Sequence, residues 1–131
     1  MSLVNLLVVL ALFQYMFFAT RVGRARATHG VPAPATTGNP IFERYYRVQT
    51  NTLELLILLV PGVWIASAYW SALFIAAMLA IYIVGRQLYY VGYIEDPKKR
   101  SMGFALSILP ILLLLLSGLV GAVWALIHTG I

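Results

Sequence analysis

The chain has 131 residues, of which 62% are hydrophobic and only 10% are charged. A typical soluble domain is about 45–50% apolar and about 25% charged, so the composition excludes an ordinary soluble domain and a disordered chain. A net charge of +5 would suit a nucleic-acid binder, but the mean hydropathy of +0.90 indicates a membrane protein. Cysteine is absent, which excludes disulfides and a cysteine nucleophile, so any thiol chemistry needs a thiol brought by a ligand.

Four stretches of the chain are long and apolar enough to cross a membrane, which takes about 20 residues. They cover about Leu3–Thr20, Leu53–Trp70, Ala72–Tyr93 and Phe104–His128, and the helix of the second stretch begins earlier, near Phe42. No basic residue precedes the first stretch and a second apolar stretch follows it, so we read the first as a retained helix rather than a signal peptide. The sequence predicts an all-α fold, an integral membrane four-helix bundle, in a single domain of residues 1–131.

The charged residues are distributed unevenly along the chain. They all lie in or beside the first and third loops, and Arg21, Arg24 and Arg26 are assigned to the first loop. Four spans put these two loops on one side of the membrane, whereas the short second loop and both termini lie on the other side. The positive-inside rule then predicts that the charged loops are cytoplasmic and that both termini face the opposite side.

A polar stripe follows one face of the second helix near its start. Arg44, Arg47, Asn51 and Glu54 are spaced by three, four and three residues, so they share that face. A solvated first turn explains Arg44 equally well. Glu54 lies deeper, where a lone carboxylate is costly, and it therefore needs a cationic partner. Gln49 is expected to point toward another helix or another subunit.

A second polar stripe closes the third helix. Arg86, Tyr89, Tyr90 and Tyr93 lie on one side of it, which would suit an aromatic belt at the membrane interface. Beside Arg86, and on the same side of the membrane as the first stripe, the tyrosines also suit a pocket wall. The two stripes together offer donors for carboxylates, an acidic partner for an ammonium group and several hydroxyls. They predict a polar anionic ligand at the membrane boundary; a small zwitterionic peptide such as glutathione would match, although the residues alone do not name it.

Two segments of the chain resemble the signature motifs of the family of membrane-associated proteins in eicosanoid and glutathione metabolism, MAPEG. They are FERYYRVQTNTLE at residues 42–54 and GRQLYYVGY at residues 85–93, the second followed by DPKKRSMG at 96–103. Within that family the resemblance is closest to the microsomal glutathione S-transferases of types 2 and 3 and to the leukotriene C4 synthases. Thr36-Thr37-Gly38 and Pro40 also match the first loop of the family.

The resemblance implies a homotrimer of four-helix subunits with glutathione, the co-substrate, bound between adjacent subunits. The residues that it assigns to glutathione binding are Arg26, Arg47, Gln49, Asn51, Glu54, Arg86, Tyr89 and Tyr93. It further implies that Arg100 stabilises the glutathione thiolate. The chain departs from the leukotriene C4 synthases at Leu55, where they carry a tyrosine, so one hydroxyl contact is missing.

From these observations we predict a membrane glutathione S-transferase, with glutathione-dependent peroxidase activity beside it, that detoxifies lipophilic electrophiles entering from the lipid bilayer. The alternative is a non-catalytic, lipid-binding membrane scaffold of the same family; the complete set of polar site residues argues against it. A small multidrug transporter would carry an acidic residue in its first span, which this chain does not. No nucleic-acid partner and no metal are implied, since His29 and His128 lack ligand spacing.

Overall fold

The computed structural model describes all 131 residues as four long helices. They are α1 (Ser2–His29), α2 (Pro40–Ser67), α3 (Ala72–Glu95) and α4 (Ser101–Thr129), with a short 3-10 helix at Pro97–Arg100 before α4. Each of the four is long and apolar enough to cross a membrane. The predicted all-α, four-span architecture is therefore confirmed, while the homotrimer remains a prediction.

Local sequence signals explain where α2 and α3 begin. Pro40 occupies the first turn of α2, where its missing N–H costs nothing, and the Oδ1 of Asn39 accepts hydrogen bonds from the backbone N–H groups of Ile41 and Phe42 at 2.9 and 3.0 Å. The second loop, residues 68–71, has the predicted bounds. Ser71 closes it by capping α3, since its hydroxyl accepts from the N–H of Phe74 at 3.3 Å.

The first helix is longer than its apolar stretch predicted. Arg21, Arg24 and Arg26 belong to the last turns of α1 and not to the first loop. Arginine and alanine favour helix, so the loss of hydrophobicity after Thr20 marks the edge of the membrane span rather than the end of the helix. The helix ends at Gly30, which adopts the left-handed conformation at φ 65° and ψ 38° that favours glycine. The irregular first loop is correspondingly shorter, covering residues 30–39.

Close contact between α3 and α4 defines one side of the bundle. A Cβ atom added to Gly85 would lie 2.6 Å from the carbonyl carbon of Leu106, and one added to Gly103 would overlap the backbone of Tyr89. Small residues permit such close approach between membrane helices, whose packing depends on van der Waals contact. The glycines therefore bring the start of α4 directly against the polar end of α3.

The antiparallel packing of α1 on α2 relates the polar start of α2 to membrane depth. The mostly apolar stretch of 18 residues from Leu3 to Thr20 spans about 27 Å, close to the thickness of the hydrocarbon core of about 30 Å. Phe18 packs with Val48 near the end of that span. Glu54 is six residues farther along α2, or about 9 Å deeper. The stripe on α2 thus begins at headgroup depth and reaches into the apolar part of the membrane.

Candidate functional site

An open cavity of about 650 Å³ lies between α2, α3 and α4 at the end of the bundle that carries the first and third loops. Five of the nine predicted site residues line it: Arg47, Asn51, Tyr89, Tyr93 and Arg100. Arg47 and Asn51 come from α2, the tyrosines from α3, and Arg100 from the 3-10 helix before α4. Two residues from each of the two predicted stripes therefore lie in the walls of one pocket.

The cavity changes character along α4. Arg100 and Ser101 lie at its loop end, whereas Phe104, Ala105, Ile108 and Leu109 continue the lining along the helix. Leu109 is nine residues past Arg100, which corresponds to about 13 Å toward the membrane interior. One wall thus offers a cation and a hydroxyl at headgroup depth and only apolar side chains below, an arrangement that suits a polar molecule beside a lipophilic one.

Arg47 lines the cavity and also forms an ion pair. Its Nη1 donates to the Oε1 of Glu54 at 3.1 Å, and the two side chains are 48% and 56% exposed. The prediction that Glu54 needs a cationic partner on the same face is confirmed. Because neither group is enclosed, both remain open to a ligand or to a second subunit.

Arg86 is fully buried and does not line the cavity. Its Nε donates to the Oγ of Ser107 at 2.7 Å, and its Nη1 donates to the Oδ1 of Asn51 at 2.7 Å and to the Oγ1 of Thr52 at 3.2 Å. The guanidinium carbon lies 4.2 Å from the centre of the Tyr89 ring. The resemblance assigned Arg86 to direct glutathione contact; the structure places it behind the cavity, where it holds Asn51 and Tyr89 in position.

The two hydroxyls that accept hydrogen bonds from Arg86 were not singled out from the sequence. Thr52 and Ser107 are both fully buried, and each also donates to the carbonyl one turn earlier in its helix, Val48 at 2.7 Å and Gly103 at 2.6 Å. These backbone bonds orient the oxygen lone pairs toward the guanidinium. The available signal was a hydroxyl inside an otherwise apolar span, the same signal that drew attention to Arg86.

The predicted tyrosine stripe divides between two neighbourhoods. Tyr89 and Tyr93 stack on each other, with ring centres 5.4 Å apart, and both line the cavity. Tyr90 turns toward α1 instead, where its ring stacks on Phe18 at 5.0 Å and its hydroxyl accepts from the Nε of Arg21 at 3.0 Å. Tyr90 therefore joins α3 to α1 and takes no part in the pocket.

Three residues discussed from the sequence lie away from the cavity of their own subunit. The Nη1 of Arg26, in α1, donates to the carbonyl of Ala35, in the first loop, at 2.5 Å. Gln49 points elsewhere, as predicted, with its Nε2 at 3.4 Å from the hydroxyl of Tyr15. Leu55 belongs to the hydrophobic core. A tyrosine at that position would need to leave the core to reach a ligand in this cavity.

The helices and the cavity together define a multi-pass integral membrane protein with a cationic, tyrosine-walled pocket at one end of its bundle. Comparison with known proteins identifies the family of the chain. The sequence profile of the MAPEG family matches residues 4–120, and the chain belongs to that family.

Several curated proteins are similar to the chain along most of its length. An uncharacterized protein of Synechocystis sp. is 43% identical over 121 residues, which cover 92% of this chain and 88% of that protein. Human microsomal glutathione S-transferase 2 is 41% identical over 113 residues, covering 86% and 77% of the two chains. Leukotriene C4 synthase of Cavia porcellus is 37% identical over 84 residues, covering 64% and 56%. The resemblance given by the two motifs is thereby confirmed.

Proposed function

We propose that this protein is a glutathione S-transferase that conjugates the glutathione thiolate to lipophilic electrophiles at the cytoplasmic face of the membrane. The observation that supports it best is the single cavity whose lining runs from Arg47, Asn51 and Arg100 to the apolar side chains of α4. Membership of the MAPEG family and similarity to a microsomal glutathione S-transferase support the same reaction class. Reduction of lipid hydroperoxides is proposed as a second activity of the same thiolate, in which two glutathione molecules are oxidised to their disulfide while the hydroperoxide becomes an alcohol and water.

Glutathione carries two carboxylates, one ammonium group and a thiol. The residues that line the cavity match these groups together with Glu54, which does not line the cavity but is paired with Arg47. The guanidinium groups of Arg47 and Arg100 suit the carboxylates and the thiolate, respectively, and the carboxylate of Glu54 suits the ammonium group. Asn51 and the two cavity tyrosines supply uncharged hydrogen-bonding groups. Arg86 acts indirectly, by fixing the amide of Asn51 through its 2.7 Å bond.

Arg100 is the residue that we assign to thiol activation. The thiolate, not the thiol, is the nucleophile, and a free cysteine thiol has a pKa of about 8.5. A fixed positive charge beside the sulfur lowers that pKa, and the released proton passes to solvent. In conjugation the sulfur forms a bond to the electrophilic carbon while the leaving group departs with its electron pair. Holding both reactants in one cavity supplies the proximity that the bimolecular reaction lacks in free solution.

A homotrimer would complete the site. Glu54 is 56% exposed and lies about 9 Å deeper than Val48, and a carboxylate facing lipid at that depth is costly. A second copy of the chain packed against this face of α2 would remove the cost. Arg26 and Gln49, which lie outside the cavity of their own subunit, would then contact glutathione bound beside a neighbouring subunit. Native mass spectrometry of the detergent-solubilised protein tests this assembly, and a monomer that conjugates glutathione at full rate would contradict it.

The proposed sidedness can be tested separately, because the natural chain has no cysteine to remove. Ser71→Cys, in the second loop, should react with an impermeant thiol reagent added outside the cell, whereas Ser101→Cys should react only after permeabilisation. The reverse labelling pattern would contradict the cytoplasmic placement of the charged loops.

The test of the reaction is an assay of the purified protein with glutathione and either an aryl halide or a lipid hydroperoxide. Arg100→Ala should lower turnover near neutral pH at least about tenfold, since each unit of thiol pKa corresponds to a factor of ten in the thiolate equilibrium. Raising the pH should restore part of the rate. Lys98→Ala is the matched control, because Lys98 is exposed in the same loop and does not line the cavity.

Two outcomes of that assay would contradict the proposal. Wild-type protein without turnover on either substrate would favour the lipid-binding scaffold. Equal loss of turnover in Arg100→Ala and Lys98→Ala would mean that Arg100 does not act on the thiol. The ultraviolet absorbance of the thiolate provides a direct measurement, since its titration in wild type and Arg100→Ala should differ.

A further inference from the structure

A second group of cations lies on α1, outside the cavity described above. Arg21, Arg24, Thr28 and His29 line a smaller cavity of about 220 Å³ together with Tyr45 of α2. Arg21, Arg24 and Thr28 are spaced by three and four residues, so they share one face of α1. None of them belongs to the site assigned to glutathione, and Arg26 lies on a different face.

The charges of this group are not balanced by carboxylates of the chain. The two ion pairs in the structure join Arg47 to Glu54 and Lys99 to Glu95, and neither involves Arg21 or Arg24. Asp96 caps the 3-10 helix through the N–H of Lys98 at 3.0 Å. Glu43, the remaining carboxylate, forms no ion pair and does not line this cavity. The cavity on α1 thus carries two arginines without a carboxylate partner, which favours the binding of an anion.

Arg21 is held in place rather than free in solvent. Its Nε donates to the hydroxyl of Tyr90 at 3.0 Å, and its guanidinium carbon lies 5.9 Å from the ring centre of Tyr45 and 6.0 Å from that of Phe17. The hydrogen bond uses only the Nε, which leaves N–H donors on the two terminal nitrogens. An arginine that is fixed in this way loses little conformational entropy when it binds an anion.

The position of the cavity along α1 indicates where that anion comes from. Arg21 is the first residue after the apolar stretch that ends at Thr20, so the cavity lies at the depth of the lipid headgroups. Tyr45 lines it and the hydroxyl of Tyr90 binds Arg21 beside it, as expected of tyrosines at a membrane interface. The phosphate of a headgroup is the anion present at highest concentration at this depth, and a guanidinium fork matches its geometry.

We propose that this cavity binds the phosphate group of an anionic phospholipid, with Arg21 and Arg24 as the charged ligands and Thr28 and His29 as additional hydrogen-bonding groups. The site is independent of the proposed transferase reaction, since it shares no residue with the glutathione cavity. Bound lipid would fix the end of α1 against α2 and α3 at the point where Tyr90 already joins them.

The experiment measures the thermal unfolding midpoint of the detergent-solubilised full chain during titration with phosphatidylglycerol. Phosphatidylcholine, whose headgroup is neutral overall, and inorganic phosphate are titrated in parallel. The variants are Arg24→Gln and the double variant Arg21→Gln/Arg24→Gln. The matched control is Lys98→Gln, which removes an exposed cation of the third loop. Arg24 is exposed, so its replacement leaves folding intact even where the double variant does not fold.

Phosphatidylglycerol should raise the midpoint of wild type and of Lys98→Gln, and phosphatidylcholine should not. The apparent affinity should fall about fivefold for each arginine removed. Equal affinity in wild type, Arg24→Gln and Lys98→Gln would overturn the site, as would equal stabilisation by the two lipids. Stabilisation by inorganic phosphate as strong as that by phosphatidylglycerol would overturn the lipid assignment and identify a soluble phosphate compound as the ligand.

Discussion

Two neighbouring arginine environments in this protein have opposite character. Arg86 is fully buried and makes three hydrogen bonds to neutral side chains of α2 and α4. Arg47 is half exposed, lines the cavity and has a single carboxylate partner. The buried arginine donates from its Nε and Nη1 to the fold, and its Nη2 is enclosed without a partner, whereas the exposed one remains available to a ligand. In a membrane span, an ionisable residue therefore reveals its role through its partners rather than through its presence.

Asn51 connects the two environments. Its Oδ1 accepts from Arg86, while its side chain lines the cavity beside Arg47. We therefore expect stability to depend on Arg86 and ligand binding to depend on Arg47, with Asn51 contributing to both. The following substitutions test how far the two functions are separated.

The largest effect is expected for Arg86→Leu. It leaves Asn51, Thr52 and Ser107 with buried polar atoms that lose their donor, at about 1–3 kcal/mol for each unsatisfied group, and the total should reach about 3–5 kcal/mol after local relaxation. Unfolding in detergent, followed by tryptophan fluorescence, measures it. Arg86→Lys keeps the charge but not the fork of donors and should recover part of the loss. A stable Arg86→Leu protein with impaired glutathione binding would instead make Arg86 a ligand residue.

Arg47→Ala should act on ligand affinity rather than on stability. A hydrogen bond to a charged group contributes about 1.5–3 kcal/mol, so glutathione binding should weaken about 10- to 150-fold, as measured by calorimetry. Glu54→Ala should weaken it to a similar degree by removing the partner of the ammonium group. The unfolding midpoint should change little, because an exposed ion pair contributes little. Unchanged affinity in the folded protein would show that the stripe on α2 is structural.

Gly103→Ala should affect both the buried Arg86 and the cavity. The added Cβ would overlap the backbone of Tyr89, so α3 and α4 must move apart, at about 1–3 kcal/mol. Ser107 lies one turn beyond Gly103, and the movement should lengthen its bond to Arg86 and shift Tyr89 in the cavity wall. Both the unfolding midpoint and the affinity for glutathione should therefore fall. Gly23→Ala is the control, since nothing lies within 4 Å of an added Cβ there.

The smallest effect is expected for Lys99→Ala. The ammonium of Lys99 pairs with Glu95 at 2.6 Å, but both side chains are more than half exposed, and solvent screens such pairs. Neither the unfolding midpoint nor turnover should change measurably. A clear loss of turnover would mean that the charge of the third loop acts on the reaction as a whole and that Arg100 has no special role.

The sequence predicted the helices well because hydropathy reports the environment of a long segment. It predicted the second loop at residues 68–71 for the same reason, and it placed the start of α2 near Phe42, two residues after the observed start at Pro40. It placed the end of the first helix too early, because Arg21 ends the apolar run but not the hydrogen-bonded helix. Hydropathy indicates whether a helical segment lies in lipid or in water. The end of the helix is set by the left-handed conformation of Gly30.

The candidate site was predictable in part. Spacing placed Arg47, Asn51, Tyr89 and Tyr93 on the correct faces of their helices, and these residues do meet in one cavity. The division between Tyr89 and Tyr90 was not predictable, because adjacent positions on a helix differ by about 100° and the neighbours of each face depend on how the helices pack. The burial of Arg86 depended on Ser107, which comes from another helix and is 21 residues away in sequence.

The graded lining of the main cavity along α4 has a kinetic consequence. For a reaction there between a water-soluble and a lipid-soluble molecule, the two reactants are counted in different units, one as moles per litre of water and the other as a mole fraction of the bilayer. Inert phospholipid added at constant total substrate dilutes the second reactant at the membrane surface without changing its bulk concentration. The rate measured in proteoliposomes should then decline with the amount of lipid present, and the Michaelis constant for the lipophilic substrate is meaningful only as a surface fraction.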